Sequence, residues 1–163
     1  MITESRTPVS ASIDFPSDLP ASLIRGEVTL AQVFGLDQEA LYQIARLGFD
    51  LLNSGKLREA KQIYSGLVAA DPHDSVFHCH LGAAHHRLGE LDDAFEQYDA
   101  ALRLNSANGD ALVGRGEIYL TRSEIAKALA DLKSAVTIDQ QGCRPSSSRA
   151  RALLLALQQA AEK

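Results

Sequence analysis

Apolar residues recur every three or four positions along the middle of the chain, which is the spacing of one face of an α-helix. Between positions 41 and 70, two such stretches flank a Ser-Gly-Lys breaker at 54–56. In the first stretch, Ile44, Leu47 and Leu51 form the predicted packing stripe. The pattern therefore predicts a helix, a tight turn and a second helix.

The same helix pair recurs at a constant interval along the chain. Two sets of small residues keep this interval independently: Gly48, Gly82 and Gly116, and then Ala60, Ala94 and Ala128. Small side chains at these positions let the two helices of a pair approach closely. We therefore expect an all-α superhelix of three stacked repeats, at about 41–74, 75–108 and 109–142.

The flanks of the repeats have a different character. Residues 1–21 contain three prolines and four serines without any periodicity, so we expect this segment to be disordered and residues 22–163 to form a single domain. Thr29 is placed to cap a short N-terminal helix that ends at Gly35. At the other end, a helix predicted over about 146–162 covers the last apolar face of the stack.

The first helix of each pair is expected to line the concave face of the superhelix. On these helices, the second, fifth, ninth and twelfth positions lie off the packing stripe and are mostly apolar, and Asp110 shares their face. An apolar strip on a concave surface predicts a binding groove. The predicted groove residues are Tyr42, Ala45, Phe49, Leu52, Val76, Cys79, Ala83, His86, Val113, Glu117 and Leu120.

A second interpretation applies to the start of this strip. Phe49 and Leu52 could instead pack against the N-terminal helix as ordinary core residues. The two interpretations are compatible if the N-terminal segment covers one end of the groove and leaves the remainder open.

The repeat residues resemble the tetratricopeptide repeat, whose helix pairs form a right-handed superhelix. The third unit departs from the pattern, with Arg115 where an apolar residue is usual and Ser123 where a turn glycine is usual. The first two units carry the resemblance through Leu47-Gly48, Gly55, Ala60, Tyr64 and Pro72, and through Leu81-Gly82, Gly89, Ala94, Tyr98 and Ala101.

Residues 22 to about 160 also resemble a narrower family, the class II chaperones of bacterial type III secretion. That family has a short helix beginning Gly-x-x-Thr-Leu/Ile-Ala, three repeats and one terminal helix. The matching positions are Gly26, Thr29, Leu30, Ala31, Leu41, Tyr42, Phe49, Gly55, Lys56, Leu67, Asp71, Asp74 and Ser75.

This resemblance implies a cytoplasmic bacterial chaperone. Its groove would hold an extended segment of a hydrophobic translocator protein, which stays soluble and competent for secretion while bound. The resemblance also implies a homodimer through the N-terminal helical region. The open alternative is a generic tetratricopeptide repeat adaptor or scaffold that binds another protein or peptide.

Charge and composition exclude two further classes of partner, nucleic acid and the membrane interior. The 163 residues carry a formal net charge of −5, so the chain lacks the basic field that binds nucleic acid. The longest apolar run, 152–157, is too short to cross a bilayer and no leader opens the chain, so we expect a cytoplasmic protein without membrane insertion. Two cysteines, Cys79 and Cys143, fit a reducing compartment.

Other chemistry finds little support in the residues. Four histidines and Cys79 crowd positions 78–86, but His78 and His85 stand seven apart, whereas helical zinc pairs usually stand four apart. Phosphate-binding loops, dinucleotide fingerprints and nucleophile elbows are all missing from the sequence. We therefore expect no catalytic residue, no metal and no cofactor. A carboxylate-clamp adaptor would need cations inside the groove, where Asp110 and Glu117 stand instead.

Overall fold

The computed structural model describes residues 19–162, and every regular element in this range is an α-helix, so the expected all-α fold is confirmed. Most of the segment at 1–21 lies outside the described residues, and its expected disorder stays a prediction. The helices are α1 (Leu19–Ile24), α2 (Leu30–Val33), α3 (Gln38–Asn53), α4 (Leu57–Ala70), α5 (Ser75–Leu88), α6 (Leu91–Leu104), α7 (Gly109–Thr121), α8 (Ile125–Ile138) and α9 (Pro145–Ala161).

Three antiparallel hairpins stack in series. The pairs are α3 with α4, α5 with α6, and α7 with α8, and each second helix packs on the first helix of the next pair. The first helices also contact one another, α3 with α5 and α5 with α7, and so form one continuous face. Helix α9 packs on α8 and α7 and covers the end of the stack. This is the predicted order of repeats and terminal helix.

The first helices share a start signal that the second helices lack. Asp37 accepts a hydrogen bond from the Ala40 amide at 2.8 Å, and Asp74 accepts one from the Val76 amide at 2.7 Å. Asn108 caps α7 in the same way. A side-chain cap satisfies an amide that the helix leaves unpaired, so these residues set where each repeat begins.

The small residues let the helices of a pair approach closely, as predicted, and the glycines of the first two pairs face a tyrosine of the second helix. A β-carbon on Gly48 would lie 2.8 Å from Tyr64 Cε2, and one on Gly82 would lie 2.9 Å from Tyr98 Cδ1. Both tyrosines are buried in the core. The small residues that recur at the repeat interval therefore lie where the two helices of a pair are in closest contact.

The packing stripe predicted for α3 is wrong at two positions. Ile44 and Leu47 are 39% and 53% exposed. The buried face of α3 is instead formed by Leu41, Ala45, Gly48 and Leu52. In later repeats the equivalent stripe packs against the preceding hairpin, but α3 opens the stack, and within residues 19–162 no earlier hairpin covers that side.

The turn of the third repeat keeps the geometry of the other two without their glycine. Gly55 and Gly89 have φ of 78° and 81°, and Ser123 has φ of 59° at the same position. A non-glycine residue is strained in this left-handed region because its β-carbon crowds the backbone.

We expect Ser123→Gly to raise the free energy of unfolding by about 0.5–1 kcal/mol, because it removes this strain. Chemical denaturation of the two proteins measures the change. The control is Ser54→Gly, since Ser54 lies in the first turn at φ of −80° and gains nothing from glycine. An equal or lower stability of the Ser123 variant would contradict the assignment of strain.

Arg115, the unusual residue of the third unit, is held by two acids. Its Nε donates to Asp131 Oδ2 at 2.8 Å, its Nη2 to Asp131 Oδ1 at 3.0 Å and its Nη1 to Asp99 Oδ1 at 2.8 Å. Asp131 is only 7% exposed. The guanidinium thus joins α6, α7 and α8 with ion pairs, where the second repeat has Leu81 in apolar packing.

Candidate functional site

A concave groove of about 760 Å³ runs across the face formed by α3, α5 and α7. Its volume falls within the range of protein ligand sites. The start of α9 and one side chain of α6 complete its walls. The lining residues are Phe49, Leu52, Asn53, Cys79, His80, Ala83, His86, Arg87, Tyr98, Asp110, Val113, Gly114, Glu117, Pro145, Ser146 and Arg149.

Most of the predicted groove residues are brought together here, namely Phe49, Leu52, Cys79, Ala83, His86, Val113 and Glu117. Four predicted residues do not line it. Ala45 is buried between α3 and α4, and its carbonyl accepts the Tyr64 hydroxyl at 2.8 Å. Tyr42 donates to Asp74 beyond the groove, while Val76 and Leu120 are half-buried elsewhere.

Of the two residues that the sequence left open between groove and core, Leu52 belongs to the core and Phe49 to the groove wall. Leu52 is 5% exposed and packs within the core of the first repeat. Phe49 is 47% exposed and stands open on the groove wall. Helix α2 packs against α4 rather than over Phe49. Within the described part of the chain, the groove is therefore open beside Phe49.

Aromatic rings form much of the floor. His80 stacks on Tyr64 with 5.0 Å between ring centroids and meets the edge of Phe49 at 5.8 Å. His86 meets the edge of Tyr98 at 6.1 Å. Two of the four histidines of α5 therefore serve as flat rings within an aromatic surface, whereas His78 and His85 bond Gln97 and Glu90 outside it.

Tyr98 and Gly114 are functional candidates that sequence reasoning missed. Tyr98 belongs to a second helix, which the repeat places behind the groove. It reaches the floor because a β-carbon on Gly114 would overlap the end of its ring. The signal available in the sequence was Gly114 itself, an additional glycine that does not follow the repeat interval.

The start of α9 closes one end of the groove, which the sequence did not indicate. Arg149 Nε lies 2.5 Å from Glu117 Oε1, and this ion pair joins α9 to α7. Pro145 and Ser146 line the same end. The terminal helix therefore has two roles, since it covers the last repeat and contributes polar groups to the groove.

Burial is the largest cause of the pKa shifts of three groove residues, Glu117, His86 and Cys79. It raises the pKa of Glu117, against the opposing effect of Arg149, and it lowers the pKa of His86, which Arg149 lowers further. It also raises the pKa of the Cys79 thiol, so this sulfur stays protonated. The Cys79 thiol therefore adds no charge to the groove floor at neutral pH.

We expect Glu117→Gln to raise the melting temperature at pH 7.5, with a gain in stability of up to about 1 kcal/mol. A raised pKa means that the folded state holds the Glu117 proton more tightly than the unfolded state does. The protonated carboxyl therefore contributes its full stabilisation below pH 4.5, the ordinary pKa of a glutamate, and this contribution is lost as pH rises through the raised pKa. The gain should therefore vanish near pH 4. Glu96→Gln, at an exposed position of α6, is the control. A gain that is equal at both pH values would contradict the assignment.

One group of side chains has the spacing of a metal site, outside the groove. His85, Glu90 and Asp93 bring three ligand atoms within 4.8 Å of one another. The Lys61 ammonium already donates to both oxygens of Glu90, at 2.9 and 2.8 Å. A cation at this position would meet the charge of Lys61, and the expected absence of metal stays a prediction.

Two further observations concern membranes and cysteines. Among residues 19–162, no helix has the length and apolar content required to span a bilayer. Cys79 is buried in the groove floor, whereas Cys143 is exposed in the loop before α9.

Comparison with known proteins gives consistent matches. The profile described as Tetratricopeptide repeat matches residues 45–108 and 96–142. Low calcium response locus protein H of Yersinia pestis is 26% identical over 138 residues, which cover 83% of this chain and 82% of that protein.

Solved structures agree with the sequence matches. The type III secretion translocator chaperone SycD of Yersinia enterocolitica superimposes with a TM-score of 0.68 at 26% identity, over 79% of this chain and 98% of SycD. A second SycD structure is described as an alternative dimer, with a TM-score of 0.68, 25% identity and coverage of 78% and 98%. SycD in complex with a peptide of the translocator YopD gives a TM-score of 0.65 at 25% identity, over 77% and 97% of the two chains.

Proposed function

Because this chain belongs to the tetratricopeptide repeat family, we propose that it is a chaperone for hydrophobic translocator proteins of a type III secretion system. Its groove would bind an extended segment of the client and keep the client soluble until secretion. The similarity to SycD, which was crystallised with a peptide of a translocator, supports this role. We place the protein in the bacterial cytoplasm and assign it no catalytic activity.

The observation that carries the proposal is the open apolar wall at Phe49. Phe49 is 47% exposed on a concave surface although one side of its ring meets His80, and Leu52, Ala83 and Val113 continue the apolar surface beside it. Such a surface suits the alternate side chains of an extended peptide. The client contacts that we assign are the predicted groove residues that line the groove, together with His80 and Tyr98.

The free energies of burying client anchors and of ordering the client segment favour reversible binding. Three buried anchor side chains contribute roughly 1.5–3 kcal/mol each. Ordering a flexible segment costs about 2–5 kcal/mol. The net affinity is therefore modest, which suits a client that must later be released to the secretion apparatus.

The groove charges disfavour the alternative adaptor that clamps a terminal carboxylate. Such a clamp needs free cations inside the groove. Arg87 already donates to the Leu52 carbonyl, and Arg149 is paired with Glu117. A carboxylate would also face Asp110.

Co-expression tests the proposed function. The chain is produced together with each protein of the same gene neighbourhood that has long apolar segments. We expect one or two of these proteins to become soluble and to co-purify with the chain in a defined ratio. A soluble cytoplasmic enzyme of similar size serves as a negative control. Failure of every apolar neighbour to gain solubility would contradict the chaperone role.

We also propose that the chain forms a homodimer through its N-terminal helices. Ile24, Phe34 and Leu47 are 87%, 61% and 53% exposed, and they lie on α1, after α2 and on α3. Three exposed apolar side chains on the elements that open the stack favour a partner surface at this end. Sedimentation equilibrium should give the mass of a dimer, and Leu47→Glu should shift it toward the monomer, whereas Leu155→Glu on α9 should not.

A further inference from the structure

The α7 edge of the groove carries two carboxylates on one helix face. Asp110, Gly114 and Glu117 follow one another at steps of four and three residues, and all three line the groove. The two acids are thus about 10 Å apart along the helix axis, two turns of α-helix. Their surroundings differ, because Glu117 pairs with Arg149 and Asp110 makes no hydrogen bond or ion pair within the described part of the chain.

The charge of Asp110 acts on the groove floor. Burial raises the pKa values of Cys79 and Tyr98, and the negative charge of Asp110 raises both further. Asp110 is therefore close enough to the floor to attract a positively charged group of a ligand that is bound there. Arg149 balances Glu117, so the unbalanced negative charge of this edge lies at Asp110.

A second polar group at the same place is also without a partner. Tyr98 is only 4% exposed and lines the groove, yet its hydroxyl makes no hydrogen bond to any described residue. The hydroxyl end of its ring lies against Gly114, between the two carboxylates in the α7 sequence. Tyr64 occupies the equivalent position one repeat earlier, and its hydroxyl is satisfied by the Ala45 carbonyl at 2.8 Å. No buried side-chain oxygen or nitrogen of the described residues lacks a hydrogen-bond partner, so the Tyr98 hydroxyl opens to the groove, where a ligand can reach it.

We propose that Asp110 and Tyr98 form a polar subsite for a basic residue of the client segment, in which Asp110 pairs with a lysine or arginine side chain and Tyr98 hydrogen-bonds the client backbone. This inference rests on the proposed function. Together with the apolar wall at Phe49, the subsite selects segments that carry apolar anchors and a cation at a fixed distance. It therefore sets the direction in which the client lies in the groove.

Selection from a random library of displayed 12-residue peptides on the full-length chain tests the subsite before any client has been identified. We expect enriched peptides to combine apolar residues with a lysine or arginine at constant spacing. Asp110→Asn should keep the apolar preference and lose the basic one. Phe49→Arg should lose the apolar preference.

These outcomes separate the two proposals. Apolar enrichment without any basic preference, or a basic preference that Asp110→Asn leaves unchanged, overturns the subsite and leaves the groove function standing. Absence of any enriched peptide overturns both. If Asp110→Asn leaves the basic preference unchanged, Asp110 acts only as a first-turn acid that stabilises α7 through the helix dipole.

The strongest selected peptide allows a quantitative test by fluorescence polarisation. Replacing its basic residue by norleucine should weaken binding severalfold to the parent chain and little to Asp110→Asn, because the pair is then already lost. The parent affinity should also fall as salt is raised, since the cation and Asp110 meet at a solvated edge.

The two tyrosines supply a matched pair of variants. Tyr98→Phe should weaken peptide binding severalfold and leave the melting temperature unchanged, because its hydroxyl has no partner within the described chain. Tyr64→Phe should lower the melting temperature and leave peptide binding unchanged, because it loses the bond to Ala45. If Tyr98→Phe lowered the melting temperature and left peptide binding unchanged, the role of Tyr98 would be overturned.

Discussion

Phe49→Arg is expected to weaken the binding of a translocator segment by at least about 100-fold while leaving helix content and melting temperature near those of the parent chain. Phe49 is the most exposed large apolar side chain on the groove wall, so its loss removes an anchor worth roughly 1.5–3 kcal/mol. The arginine adds a charge that the apolar client residue would have to desolvate. The same exposure lets the arginine reach solvent in the free protein, which preserves the fold.

The control for this experiment is Leu104→Arg, which places the same charge at an exposed leucine outside the groove. Leu52→Arg is a poor probe, because Leu52 is 5% exposed and its replacement would bury a charge in the core of the first repeat. Binding is measured by co-purification of the client and by isothermal titration, and folding by circular dichroism. Equal client recovery from the Phe49 variant and the parent would end the groove hypothesis.

Arg115→Met is expected to cost about 3–5 kcal/mol of unfolding free energy, equivalent to a fall of about 10 °C in melting temperature. The substitution leaves Asp131 as a buried carboxylate without its bidentate partner. Asp99 is a third exposed and also pairs with Arg103, so it contributes less to the loss. Thermal unfolding followed by circular dichroism measures the change.

A second substitution separates lost charge pairing from lost packing. We expect Asp131→Leu to restore most of the stability of the Arg115→Met chain, because the double variant replaces the pair by apolar side chains of similar size. Arg122→Met is the matched control. Its ion pair with Asp92 is solvated, so its loss should cost less than about 1 kcal/mol. If the Arg122 and Arg115 variants lost equal stability, the buried network would not have the role assigned to it.

The third repeat shows where motif reading is too strict. Arg115 and Ser123 both depart from the usual residues, yet the helix pair and its turn form as in the other repeats. The arginine is tolerated because Asp99 and Asp131, which are 16 residues away on either side, supply its counter-charge. The serine is tolerated because one strained residue costs little against the packing of two whole helices.

The first repeat shows the opposite limit. Its periodicity predicts a helix correctly, but Ile44 and Leu47 are exposed and Ala45 is buried. Which apolar face of a helix is covered depends on its neighbours, and α3 stands at the start of the stack. Periodicity reports an amphipathic helix and does not report what lies next to it.

Chain-local information sufficed for the helices, the Thr29 cap and the apolar character of the strip at Phe49, because these features depend on residues three or four positions apart. The constant interval between glycines was equally visible in the sequence and predicted the stack of repeats. The remainder of the groove was decided by tertiary contacts. Tyr98 reaches the floor through the gap at Gly114, and Arg149 on α9 meets Glu117 on α7 although all of α8 separates them in the chain. Such meetings are set by how helices pack in space, and no local spacing along the chain encodes them.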